Sequence, residues 1–180
     1  MPSREVMRRV LEEHVAAENA HDRSRVLATY CTRDPVFEDV PAGVRYTGGE
    51  EIIGNYGHLW DGFPGLVRRI DRWTFGDYSC VIELTLTGAH DGQFRGVAAT
   101  GRTIALRIIA HFAFDEEGLI TQETAYYDTA YYDTLVVHES AGSHPGAGPS
   151  DAWEWTTFQT PSSRRQTSER RNLRTSAEGR

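Results

Sequence analysis

The sequence predicts an α+β fold in which three N-terminal helices cover one face of a curved antiparallel sheet. Apolar residues in the first third of the chain recur at helical spacings of three and four. Residues 79–128 contain three apolar, β-branched runs separated by glycine-bearing turns, a pattern typical of consecutive antiparallel strands. In the longest run, residues 103–114, every even position is apolar, so this face is expected to point into the core.

The three helices are predicted from periodicity and end signals. Residues 3–21 form an amphipathic pattern, and Asp22 can cap a short second helix that follows at once. Thr47 and Glu50 have the spacing of a capping box, which predicts the start of a third helix. The Phe-Pro-Gly sequence at 63–65 ends it.

The remaining segments are predicted to form the sheet. Residues 36–47 surround a Pro-Ala-Gly turn, which indicates either two short strands or one strand and a loop. Residues 66–75 form a further strand before the three central ones. The predicted order is therefore helix, helix, short strands, helix and a long meander.

The composition of the chain argues against two kinds of partner, nucleic acids and membranes. The chain has 180 residues, a formal net charge of -7 and a pI near 5.5, which argues against nucleic-acid binding. No apolar run has the length needed to cross a bilayer, and the N-terminus has no apolar signal-peptide segment. We therefore expect a cytoplasmic protein with no nucleic-acid or membrane partner.

Every basic residue among the 19 counted is Arg, and this absence of Lys excludes several chemistries. Schiff-base catalysis, pyridoxal phosphate attachment and the phosphate-binding loop all need a Lys amine. Cys31 and Cys80 are too few for a thiolate metal site, and the histidines lack metal-ligand spacing. The sequence predicts no cofactor and no metal.

The C-terminal part of the chain differs in composition from the rest. Residues 138–180 are rich in Gly, Ser, Pro, Thr and Arg and have no sustained periodicity. Such a segment cannot bury enough apolar surface to offset its ordering entropy. We expect one domain over residues 1–137 and a disordered tail over 138–180.

Two motifs carry a family resemblance. The segments GAHDGQFRGVAATGR and ITQETAYYD resemble the SnoaL-like polyketide cyclases, within the wider NTF2-like fold, and the similarity covers residues 7–135. It implies a cone-shaped cavity between sheet and helices, lined for a small hydrophobic molecule. Because this fold often dimerises through the outer sheet face, it also implies a homodimer.

The N-terminal half also resembles the ketosteroid isomerases of the same fold, through HVAAENAHD at 14–22 and DPVFED at 34–39. This resemblance implies that Asp39 is the general base and that Tyr30 and Tyr56 are buried tyrosines of the site. The tyrosine that donates to the dienolate oxygen is replaced by His14.

The oxyanion-binding positions differ from both families. The protonated aspartate of the isomerases falls on Ala110, and the catalytic His and Asp of the cyclases fall on Ala110 and Ala125. Glu123 and Tyr127 flank Ala125 on the same strand face and could reach the cavity instead.

These residues define the site hypothesis. Asp39 is the expected base, His14 the expected donor, and Glu123 and Asp128 are the further acidic candidates. A one-residue slip of the last strand would turn Asp128 inward instead of Glu123. The residues expected to contact substrate are Tyr30, Tyr56, Trp60, Phe63 and Tyr127.

Each assignment has a structural alternative. Asp39 could be a turn aspartate bonded to local backbone N–H groups, His14 a core histidine satisfied by a tyrosine, and Asp128 a strand-end residue. The sequence therefore favours a cofactor-independent cyclase or isomerase that moves a proton on a polyketide- or steroid-like carbonyl compound. A non-catalytic ligand-binding module and a dimerisation scaffold are the alternatives.

Overall fold

The computed structural model describes residues 1–128, so the prediction for residues 138–180 lies outside the described part of the chain. The helices are α1 (Arg4–Asn19), α2 (Arg23–Ala28) and α3 (Gly49–Gly62). The strands are β1 (Val36–Asp39), β2 (Val44–Thr47), β3 (Val67–Phe75), β4 (Ser79–Ala89), β5 (Thr103–Phe114) and β6 (Ile120–Tyr127). The predicted α+β order of elements is confirmed.

The six strands form one curved sheet in the order β2-β1-β6-β5-β4-β3. Four of its pairings are antiparallel, as expected, but β1 pairs with β6 in parallel, so the sheet is mixed. No hairpin joins β1 to β6, because most of the described chain lies between them. Their relative direction is therefore set by the tertiary fold rather than by a local turn.

The predicted alternation along β5 is confirmed. Its even positions Ile104, Leu106, Ala110, Phe112 and Phe114 are buried, whereas Ile109, on the other face, is 50% exposed. The period of two follows from the pleat, which sends successive side chains to opposite faces. The even face of β5 thus supplies the floor of the core.

The helices cover this face of the sheet. Met7 and Leu11 of α1 join Ile52 and Tyr56 of α3 in the same buried cluster as the inward residues of β4 and β5. Amphipathic helices are stabilised mainly by such burial of an apolar stripe. Within residues 1–128, no helix combines the length and apolar character needed to span a bilayer.

The helix starts follow local chemistry, with one correction. Asp22 caps α2 as predicted, because its side chain accepts from two backbone N–H groups of the first turn. The predicted Thr47–Glu50 capping box is wrong. Gly48 is the N-cap, with φ of 83°, and Glu51 accepts from the backbone N–H of Thr47 at 2.8 Å. The helix begins one residue later because Gly48 readily adopts this positive φ.

Candidate active site

A cavity of about 690 Å³ lies between the helices and the inner face of the sheet. This volume is in the range of small-molecule sites. Its apolar wall includes Phe37, Ile82, Leu84, Leu86, Leu106, Ile108 and Phe112. The polar lining divides into a group near the exposed rim, which includes Asp39, Arg95 and Tyr127, and a buried group, which includes Glu18, Tyr56, Arg68 and Glu123.

Asp39 is the last residue of β1, and its side chain lines the cavity while remaining only 13% exposed. Oδ1 accepts a hydrogen bond from the backbone N–H of Ala42 at 3.2 Å, so the turn role holds. Oδ2 accepts from the Tyr127 hydroxyl at 2.9 Å and lies 3.8 Å from the Arg95 guanidinium. Oδ1 therefore stabilises the turn after β1, and Oδ2 contacts two other residues of the cavity lining.

Glu123 is at the centre of the buried polar group. Its Oε2 accepts hydrogen bonds from the hydroxyls of both Tyr30 and Tyr56, the latter at 2.9 Å. Burial alone would raise the pKa of Glu123, but His14 and the two phenols stabilise the anion and the pKa is lowered. Glu123 is therefore held as a carboxylate at neutral pH.

His14 is fully buried and does not line the cavity. Its Nδ1 lies 2.8 Å from the Thr29 hydroxyl, and its Nε2 lies 3.3 Å from the Tyr56 hydroxyl and 3.6 Å from Glu123 Oε2. The expectation that His14 donates directly to a substrate oxygen is corrected by this placement, because the helix directs its ring into the core.

The electrostatic state of His14 depends on its acidic neighbours. Burial favours the neutral ring, but Glu18 and Glu123 outweigh it, and the pKa of His14 is raised. The pKa of Glu18 is also raised, because its own burial outweighs the stabilising charges of Arg68 and His14. His14 therefore acts on the site through its neighbours, as a buried partner of the two carboxylates.

Only two of the five residues expected to contact substrate line the cavity, namely Tyr56 and Tyr127. The Tyr30 hydroxyl is directed to Glu123. Trp60 stacks on His21, with ring centroids 4.9 Å apart, and Phe63 packs against Phe94. These three aromatic residues are buried in the core and do not line the cavity.

The register of β6 is the predicted one, without a slip. Glu123, Ala125 and Tyr127 line the cavity, whereas Tyr126 is 48% exposed on the other face. Asp128 is exposed and lies outside the cavity lining. The structure therefore does not bring Asp128 together with Asp39 and Glu123 in the cavity.

Sequence reasoning missed the pair formed by Glu18 and Arg68. Arg68 Nε lies 3.3 Å from Glu18 Oε1, and both side chains are 5% exposed and line the cavity. The signals were present: Glu18 follows His14 by one helical turn, and Arg68 shares a strand face with Ile70. Charged residues are usually found at the protein surface, so the sequence did not predict that Glu18 and Arg68 line the cavity.

The described residues also bear on metal and thiol chemistry. Within residues 1–128, no three His, Cys, Asp or Glu side chains are grouped so that they could hold a metal ion. Both cysteines are free thiols, and burial raises the pKa of Cys80 to about 11. Cys80 is thus a protonated core residue at neutral pH.

The fold and cavity define a class of protein: an α+β cone whose sheet and helices enclose a ligand-sized, partly polar chamber. A family model for the SnoaL-like domain matches residues 11–123, which is more than half of the chain. The protein belongs to the SnoaL-like domain family. Comparison with curated proteins finds no match to this sequence.

Solved structures show the same fold. A provisionally assigned SnoaL-like polyketide cyclase from Jannaschia sp. CCS1 is 20% identical, with a TM-score of 0.68 over 78% of this chain and 99% of that one. A provisionally assigned polyketide cyclase from Xanthomonas campestris pv. campestris is 21% identical, with a TM-score of 0.66 over 73% and 97%. An NTF2-like protein of unknown function from Burkholderia pseudomallei K96243 is 19% identical, with a TM-score of 0.63 over 74% and 98%.

Proposed function

We propose that this protein is a cofactor-independent enzyme of the cyclase or isomerase type, which transfers a proton on a small hydrophobic carbonyl compound with Asp39 as general base. The observation that supports this proposal most directly is that the Asp39 carboxylate lines a cavity with an apolar wall, while one of its oxygens is oriented by the Tyr127 hydroxyl. Family membership supports the same class of reaction.

The proposed step starts with a carbon acid next to a carbonyl group. An Asp39 oxygen takes the proton, the C–H bond breaks, and its electron pair moves to the carbonyl oxygen to form an enolate. Return of the proton to a different carbon completes an isomerisation. Attack of the enolate carbon on a second carbonyl, followed by proton return to the new alkoxide, completes a cyclisation.

An enolate needs a hydrogen-bond donor, and two of the three phenols on the cavity wall already have acceptors. Tyr127 donates to Asp39 and Tyr56 donates to Glu123. A hydroxyl group has only one proton to donate. We assign Glu123 the role of positioning Tyr56, which leaves the remaining polar residues of the lining, such as Tyr46 and Arg68, as candidate donors to the substrate.

Deuterium exchange tests the role of Asp39. Cyclic enones and β-keto esters are incubated in D₂O with wild type and with Asp39→Asn, and exchange is followed by NMR. The expected result is a loss of roughly a hundredfold or more, the usual contribution of a positioned general base. Asp128→Asn is the matched control, because that acid is exposed and outside the cavity. Equal rates for wild type and Asp39→Asn would remove Asp39 from the mechanism.

A non-catalytic binding module is the second candidate, and one observation favours it. Ala110 and Ala125 are direct neighbours across β5 and β6 on the cavity wall, where the family resemblance implies catalytic residues. A hydrophobic ligand that stays bound through purification and is unchanged on incubation would support the non-catalytic binding module. A scaffold without a ligand is disfavoured, because the cavity is open rather than filled with side chains.

A further inference from the structure

Arg68 occupies an unusual position for a cationic residue. Its side chain is only 5% exposed and lines the cavity, and its Nη1 has no hydrogen-bond partner among the described residues. Buried nitrogen donors in folded proteins almost always have a partner, so an exception needs an explanation. An arginine that lines a cavity and has an unpartnered guanidinium N–H is suited to bind a ligand oxygen.

The structure holds the Arg68 backbone in place. The Asn19 side chain donates to the carbonyl oxygen of Arg68 at 2.9 Å, and the N–H of Arg68 donates to Asn19 Oδ1 at 2.7 Å. The guanidinium carbon lies 5.8 Å from the centre of the Tyr56 ring. The donor is therefore preorganised by a fixed backbone and an aromatic neighbour, which lowers the entropic cost of ligand binding.

The charges around Arg68 indicate which kind of oxygen it would bind. Glu18 is 3.3 Å away and compensates its charge, and Glu123 adds a second acidic group to the same network. The two cations Arg68 and His14 balance these two acids, so a ligand carboxylate would add an uncompensated negative charge to the network. A neutral carbonyl oxygen accepts a hydrogen bond without adding that charge.

We propose that Arg68 is a specificity-determining residue whose Nη1 donates to the carbonyl oxygen of a neutral, hydrophobic ketone at the buried end of the cavity. This inference names the substrate class for the cavity of the proposed function. A catalytic role for the Arg68 hydrogen bond rests on that proposed function. Its binding test is independent of turnover. Asp39 would act on a carbon acid of a ligand that Arg68 orients.

The test compares three probes of similar shape by equilibrium dialysis: 2-acetylnaphthalene, 2-ethylnaphthalene and 2-naphthoate. The measured quantity is the ratio of ketone to hydrocarbon affinity in wild type, relative to the same ratio in Arg68→Met. Because the hydration difference between the probes cancels in this comparison, the change reports on the hydrogen bond. We expect Arg68→Met to lower the ratio roughly tenfold or more, the usual size for a charged donor.

Two further variants guard against misfolding of Arg68→Met, which leaves Glu18 buried without its partner. The double variant Glu18→Gln with Arg68→Met removes both charges and should show the same lowered ratio. Arg68→Lys keeps a charged donor with different geometry and should give an intermediate ratio. Arg107→Met, on the exposed outer face, is the matched control and should keep the wild-type ratio.

The outcomes separate this inference from the proposed function. A ketone-to-hydrocarbon ratio that is the same in wild type and in both Arg68→Met variants would overturn it. Tighter binding of 2-naphthoate than of the ketone would assign the site to anions and overturn it as well. Asp39→Asn should keep the ratio, so failed deuterium exchange with an intact ratio would reject the role of Asp39 alone.

Discussion

The Tyr127 hydroxyl donates a 2.9 Å hydrogen bond to Oδ2 of Asp39 from a neighbouring parallel strand. The register places Asp39 beside Ala125, so Tyr127 is the next residue of β6 on the same face. Burial, with the nearby charge of Asp39, raises the pKa of Tyr127 to about 12. The phenol therefore remains a donor to Asp39 throughout the neutral pH range.

Replacing Asp39 by Asn should lower the pKa of Tyr127. A phenolate next to a carboxylate is disfavoured by repulsion, so removing the charge makes ionisation easier, while burial keeps the pKa above the ordinary value. Titration of the tyrosine ring Cζ signals by NMR measures this, with Tyr127→Phe to assign the resonance. Asp128→Asn should leave the signal unchanged, and an unchanged pKa in Asp39→Asn would contradict the coupling.

His14 and Glu123 should stabilise the fold most between pH 4.5 and 6.5. The folded-state pKa of His14 is raised above 6.5, so its contribution is complete below that pH and is lost as pH rises through the folded value. The folded-state pKa of Glu123 is lowered below 4.5, so its contribution is present above that pH and is lost as pH falls. Both contributions are complete only inside this window.

Urea unfolding of wild type and His14→Gln at several pH values measures the effect. The expected loss is on the order of 1–3 kcal/mol inside the window and becomes smaller as pH rises through the folded pKa of His14. His58→Gln, which changes an exposed histidine, is the control. A loss that does not vary with pH would show that His14 contributes by packing alone.

Tyr30→Phe should destabilise the protein by about 1–3 kcal/mol, because the buried Glu123 carboxylate loses one of its two phenolic donors. The exposed Tyr126 gives a matched control, since Tyr126→Phe removes the same atom at the surface. Denaturant unfolding at pH 7 compares the two. Similar losses for both variants would mean that the Glu123 network contributes little to stability.

Ala110→Leu should block the cavity without unfolding the protein. The added carbons enter the open space of the cavity, about 690 Å³, from a buried position of β5, so they need not displace the backbone. We expect roughly tenfold or greater loss of 2-acetylnaphthalene affinity, because the added side chain occupies volume the ligand needs. Ala105→Leu, on the exposed face of β5, should bind as wild type. Unchanged affinity in Ala110→Leu would place the ligand elsewhere.

Ile109→Asp should convert the expected homodimer into a monomer. Ile109 and Tyr126 are neighbours across β5 and β6 on the outer sheet face, where they are 50% and 48% exposed. A charge at this position would oppose burial in a self-complementary interface. Sedimentation velocity measures the mass, with Val40→Asp in the exposed β1–β2 turn region as control. A monomeric wild type would contradict the prediction.

The sequence alone was enough for the existence of the three helices and the long strands, and for the alternation of faces along β5 and β6. The strict alternation along residues 103–114 indicated the inward side of β5, and helical spacing indicated α1. The ordering of Glu123, Ala125 and Tyr127 on one face of β6 followed from the same period of two. These features depend on backbone geometry between near neighbours in the chain, which residue patterns report directly.

The tertiary structure alone decided which side chains share the cavity. The parallel pairing of β1 with β6 brings Asp39 to Tyr127, and the packing of α1 on β3 brings Glu18 to Arg68. Tyr30, which follows α2, and Trp60 and Phe63, at the end of α3, are buried in the core. These contacts join residues far apart in the chain, and their formation depends on how whole elements pack, which no local periodicity encodes.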